Sequence, residues 1–201
     1  MREMKKAFLQ LLFPQAFNNV PRLRLGFEGE WEEQKLGDVA RMFDGLRVPV
    51  SGVLRKSGST PYYGANGIQG YIDGYTHDGE FVLVAEDGAN DISCYPVRYV
   101  RNKIWVNNHA HVLQGIPKIT NTLFLSYLME TINYKPYLVG GTRAKLNGGI
   151  LKEIPVSMPT FTEQQRLGLF FRSLDEQISA QIEKLKQTKL LKSVFLIKMF
   201  I

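Results

Sequence analysis

From Thr160 to Ile201 the chain contains no proline and, after Gly168, no glycine, while Leu167, Phe171, Leu174, Ile178, Ile182 and Leu185 recur in steps of three and four. That spacing places all six on one stripe of a helix. Thr162 with Gln165 three positions on has the form of a capping box, in which the two side chains satisfy amides left unpaired in the first turn. A helix running to Phe200 would be on the order of 55 Å long at about 1.5 Å per residue, more than a small domain can cover. Part of its apolar stripe must therefore pack against something else.

The remainder has the material for one domain. Of 201 residues, 44% are hydrophobic, enough to bury a core. The 25 Lys and Arg against 19 Asp and Glu leave a charge of +6, which fits a polyanionic partner and equally a basic protein without one. Cys94 has no second cysteine to pair with and reads as a small buried hydrophobe in a reducing compartment. No apolar run approaches the roughly 20 residues that span a bilayer, and the amino terminus lacks the pattern of a signal peptide, so the expected location is the cytoplasm.

Residues 1–13, ending in Phe8-Leu9-Gln10-Leu11-Leu12-Phe13 before Pro14, read as the tail of a helix. The same pattern returns as Phe195-Leu196-Ile197-Lys198-Met199-Phe200. Residues 14–36 read as a linker anchored by Trp31. Residues 37–159 change grammar: Phe81 to Val84, Tyr95 to Val100, Lys103 to Val106 and His111 to Leu113 are β-branched or aromatic runs bounded by turn residues. Leu123 to Ile132 interrupts them with helical spacing. The expectation is an α+β fold: a β-rich domain with a short internal helix, then one long protruding helix of coiled-coil type, residues 160–201.

Catalytic patterns are missing. His109 and His111 alternate onto one strand face without a carboxylate or cysteine at metal-ligand spacing, so no metal site is expected. Gly64 to Gly70 lacks the order of a dinucleotide loop and reads as a tight turn. Glu33-Gln34-Lys35 lacks the further acids a metal nuclease requires. Glu86, Asp87 and Asp91 read as solvated turn residues.

Nucleic-acid signals are stronger. Tyr62, Tyr63, Asn66 and Gln69 occupy a glycine-rich stretch in which amides could read bases, or the tyrosines could fill a core. Thr142, Arg143 and Lys145 lie between Gly140-Gly141 and Gly148-Gly149, a pattern that lets backbone and cations approach phosphates, or simply a solvated basic loop. Arg47 and Lys56 belong to another basic, irregular stretch that could reach a groove.

Pro61 to Gly67, Leu83 to Ala89, Asn107 to Leu113 and Thr142 to Asn147 together resemble the target recognition domain of type I restriction-modification specificity subunits. Ile154 to Pro159, Glu163 to Arg166 and the closing Phe195 to Phe200 resemble that family's spacer helix. The resemblance implies a non-catalytic subunit that binds double-stranded DNA and directs modification and restriction subunits to a target. S-adenosylmethionine, ATP and magnesium would then be bound only by those partners. It differs from the family's full-length plan by carrying one recognition domain, so it is expected to act as a half-length form. Two copies could bury their helix stripes antiparallel about a two-fold axis, making a homodimer that reads a palindromic target. The alternative is an assembly or interference module that binds partner subunits through its helix without productive reading of sequence.

Overall fold

The computed structural model describes residues 2–15, 19–140 and 144–200. In chain order the elements are α1 (Arg2–Leu12), β1 (Glu32–Lys35), α2 (Leu36–Val39), β2 (Ala40–Met42), β3 (Thr60–Gly64), β4 (Gly67–Ile72) and β5 (His77–Ala85). There follow β6 (Val97–Val106), β7 (Ala110–Gly115), α3 (Thr122–Thr131), β8 (Leu138–Val139), β9 (Lys145–Leu146), α4 (Gly148–Glu153), β10 (Pro155–Met158) and α5 (Phe161–Phe200). Single 3₁₀ turns form at Asp44–Leu46, Gly52–Leu54 and Lys135–Tyr137. The fold is α+β, a sheet-rich domain followed by one long helix.

The main sheet has six strands in the order β2-β7-β5-β6-β3-β4, antiparallel except where β3 runs parallel to β6. At β5 it is buried on both faces from Phe81 to Ala85, which accounts for the unbroken apolar run there. Val82 and Val84 join Leu113 in the core shared with α1, α3 and α5, whereas Phe81 and Leu83 pack with Val100, Ile104 and Val112 on the other side. The two runs expected as separate strands, Tyr95 to Val100 and Lys103 to Val106, lie in one strand, β6. The β5–β6 register runs through it without a shift, although Asn102 adopts a left-handed conformation at φ 67°, opposite Gly79 at φ 142°.

Residues expected as linker contribute structure. β1 pairs antiparallel with β10, and Trp31, only 2% exposed, meets Phe13 and Phe124 edge-on at 5.7 and 6.0 Å. The amphipathic α1 thus ends in the core, with Phe13 stacked on Phe124 at 5.6 Å. It runs antiparallel to the start of α5: Lys5 reaches Asp175, and Phe8 packs edge-on against Phe170. Asn121 caps α3 by accepting from the Phe124 amide at 2.9 Å, a role suited to a short side-chain carbonyl.

The cap of α5 stands two residues before the expected Thr162. The Thr160 hydroxyl accepts from the Glu163 amide at 3.4 Å, and Glu163 turns its carboxylate to Arg24 at 2.6 Å instead of back to the cap. Gln164 locks the same turn, accepting from the Asn121 amide at 2.9 Å and donating to the Ile119 and Pro159 carbonyls. Leu167, Phe171 and Leu174 are then buried against the domain itself. This corrects their assignment to an intermolecular seam, because side chains already enclosed by α1 and α3 have no surface to offer a second chain. Ile178 is half-buried, and from Ser179 to Leu196 every residue of α5 is exposed. Ile182 and Leu185 stand 45% and 56% exposed. Among the described residues no helix is long and apolar enough to cross a membrane.

Candidate nucleic-acid interface

One end of the main sheet gathers four connections: the β3–β4 turn, residues 86–96 between β5 and β6, the β6–β7 turn, and the β8–β9 pair. Side chains stitch them together. Asn66 Nδ2 donates to the Gly88 carbonyl at 2.8 Å, and its Oδ1 accepts from the Asn90 amide at 3.0 Å. Asn107 Oδ1 accepts from the His109 amide at 2.9 Å, while His109 Nδ1 faces Asp87 Oδ1 at 2.6 Å. The Leu146 amide donates to the Glu86 carbonyl at 2.7 Å, which brings β9 to the same edge. The outcome is a polar, cross-braced surface rather than a set of independent loops.

Beneath it lies an ionic cluster that no local pattern announced. Arg47 Nη1 donates to Glu86 Oε2 at 2.6 Å and to the Ala110 carbonyl at 2.9 Å, and its other terminal nitrogen stands 3.3 Å from Asp44. His111, buried, meets Asp44 Oδ2 at 2.5 Å through Nδ1 and the Leu146 carbonyl at 2.7 Å through Nε2. Lys145 Nζ completes the set 2.8 Å from Glu86 Oε1. Burial pushes the Glu86 carboxyl up, but hydrogen bonds from Lys145 and Arg47 and the charge of His111 outweigh that and hold it below its ordinary value. Asp44, Glu86 and His111 lie close enough to one another to hold a metal ion. With both carboxylates facing cations and His111 bonded through both ring nitrogens, the arrangement is a salt-bridge network suited to fixing loops.

Several sequence assignments change accordingly. Tyr62 is 1% exposed, and its hydroxyl accepts from the Val50 amide at 3.0 Å, so it braces the 44–58 segment instead of reading bases. Tyr63, 8% exposed, fills the second core. Arg47 is held by two carboxylates and two carbonyls, so it is not available to phosphates. Glu86 is a network member and not a solvated turn residue. Asn66 is exposed but engaged in bracing. Gln69 and Lys56 are exposed, and Lys145 is half-exposed while held at Glu86. Thr142 and Arg143 lie outside the described residues. Gly148 and Gly149 open α4 instead of extending the basic loop. Cys94, expected in a core, is exposed in a turn organised by Asp91, whose carboxylate accepts from the amides of Ser93 and Cys94.

Residues 28–189 match the sequence profile of the type I restriction modification DNA specificity domain. The chain is 43% identical over 146 residues to a type I restriction enzyme specificity subunit of Haemophilus influenzae, a match covering 73% of this chain and 37% of that protein. It is 26% identical to the EcoprrI specificity subunit of Escherichia coli, over 68% of this chain and 34% of the other. The crystal structure of an S subunit from M. genitalium superposes with a TM-score of 0.68 at 15% identity, over 82% of this chain and 44% of that one. A second structure, solved for assembly and conformational transition of the type I system, gives 0.63 at 15% identity over 93% and 48%. The chain thus spans less than half the length of these relatives. With the profile covering both the braced sheet and most of α5, the chain belongs to the type I restriction modification DNA specificity domain family.

Proposed function

We propose that the chain is the non-catalytic, DNA-reading component of a type I restriction-modification system, and that it acts as a two-fold pair standing in for a longer subunit. The observation that carries this reading is the family match over residues 28–189, whose profile is that of a DNA specificity domain. In this reading residues 37–159 form the reader, and α5 with α1 spaces the readers and docks the methyltransferase subunits. Lys145 and Lys56, with Thr142 and Arg143 shortly before Lys145 in the chain, approach the phosphates, while Gln69 faces the bases. S-adenosylmethionine, ATP and magnesium belong to the partners, and the work is done in the cytoplasm, where the DNA is.

The two-copy arrangement is supported by the uncovered half of α5. Ile178, Ile182 and Leu185 continue as a stripe to Leu196 and Met199, interrupted at Thr188, Lys189 and Lys192. An antiparallel pair would cover the apolar positions and let the lysines reach outward. Sequencing methylated sites in cells that carry this chain with its modification subunits tests the whole reading. A palindrome of two half-sites at fixed spacing is expected. An asymmetric site would overturn the pair, and absence of methylation would favour an assembly module.

A further inference from the structure

The segment between β2 and β3 has a clamped base and a bare tip. Val48 donates its amide to the Val106 carbonyl at 3.1 Å and accepts from Trp105 Nε1 at 2.7 Å. The Tyr62 hydroxyl bonds Val50, Arg55 Nε donates to the Val50 carbonyl at 3.1 Å, and the Arg55 guanidinium lies 3.8 Å from the Tyr62 ring centre. On the return side, the Asp73 amide donates to the Lys56 carbonyl at 3.0 Å. Gly58 passes so close to Ile72 and Asp73 that a Cβ there would stand 2.4 Å from their backbone. Between these clamps the 3₁₀ turn Gly52–Leu54 presents Val53 at 96% exposure and Leu54 at 74%.

Single exposed apolar residues are ordinary, but two adjacent ones held outward on a braced turn cannot retreat into their own domain. The surroundings select the occupant. No Asp or Glu occurs between Asp44 and Asp73, whereas Arg55 and Lys56 directly follow the tip and Lys56 is exposed. Arg55 also reaches toward Gly70, the neighbour of exposed Gln69. An apolar point followed directly in the chain by two cations fits a polyanion with an apolar interior, which is stacked DNA.

We propose that Val53 and Leu54 form a wedge that enters the minor groove of the bound duplex and opens one base step, with Lys56 on the adjoining phosphate. This rests on the DNA-reading function above. The test starts from a 30-base-pair duplex enriched from a random pool by the wild-type chain and relabelled with 2-aminopurine at successive adenines. Wild type should raise the fluorescence at one step. The double variant Val53→Ser/Leu54→Ser should melt like wild type, lose that signal and bind about tenfold more weakly with an unchanged salt slope. Failure of wild type to enrich any duplex would overturn the DNA reading and the wedge with it. Enrichment without an unstacked step, or a variant that keeps both signal and affinity, would overturn the wedge alone. So would a variant with wild-type DNA behaviour that no longer binds modification subunits, since the tip would then face protein.

Discussion

Lys145 Nζ lies 2.8 Å from Glu86 Oε1, so a cation of the basic loop is tethered to the carboxylate that Arg47 also holds. Loop position and network integrity are therefore the same property. Replacing Glu86 would release Lys145 and leave Arg47 with Asp44 and the Ala110 carbonyl alone.

Glu86→Gln is expected to lower stability by about 1.5–3 kcal/mol, the range for hydrogen bonds to charged groups. The acid limb carries the sign. Burial raises the carboxyl, the cationic partners depress it further, and the net folded value lies below the ordinary 4.5. Glu86 thus contributes stability that is present above its unfolded value and lost as pH falls through its folded one. Thermal melts between about pH 3 and 7 should show a shallower acid decline in Glu86→Gln than in wild type.

Phe13→Ala should cost about 3–5 kcal/mol, because its ring contacts Trp31, Phe124 and Phe171 with 1% of its surface exposed. A urea midpoint measures this, and it tests whether α1 belongs to the domain's core.

Lys5, in α1, bridges Glu130 at 3.0 Å and Asp175 at 2.9 Å. Burial lowers its pKa, but the two carboxylates outweigh that and raise it above the ordinary 10.5. Its contribution is complete below that value and disappears as pH climbs through the folded one. Lys5→Met should therefore flatten the alkaline loss of stability, read by melts above about pH 9.

The two halves of the α5 stripe should respond oppositely. Phe171→Ala should destabilise the domain by about 3–5 kcal/mol, since that ring is 0% exposed. Ile182→Ser with Leu185→Ser should leave the melt of the monomer unchanged and abolish self-association in sedimentation equilibrium. A pair that persists in the serine variant would place the contact elsewhere.

Cations of the reader should separate by salt dependence. Lys56→Ala, Lys145→Ala and Arg143→Ala should each weaken duplex binding and reduce the slope of log affinity against log salt by about 1. Arg47→Ala should instead lower the melting temperature. Filter binding at several salt concentrations, set beside the melts, distinguishes the groups.

The long helix, the internal helix and the apolar strands were legible because their signal is local periodicity. The placement of Asp44, Arg47, Glu86, His111 and Lys145 was not, since Arg47 meets Glu86 across 39 positions and Asp44 meets His111 across 67. Each looks like an ordinary turn or strand residue until the topology brings them together. Tyr62 misled for a related reason: an aromatic with a hydroxyl suits a surface reader or a core brace, and only the partner at Val50 decides. The helix stripe was found, but periodicity does not mark where a domain stops covering it, and Leu174 to Ile178 is where that occurs.

The clamp formed by Glu163 and Gln164 has a mechanical consequence. Past Ile178 the helix is an uncovered lever of about 27 Å to Leu196 at 1.5 Å per residue. A tilt of about 7° at its root would move the far end by about 3 Å, close to the 3.4 Å rise of one base pair. The buried bonds of Arg24 and Gln164 at the root therefore fix the angular tolerance of anything carried at the tip.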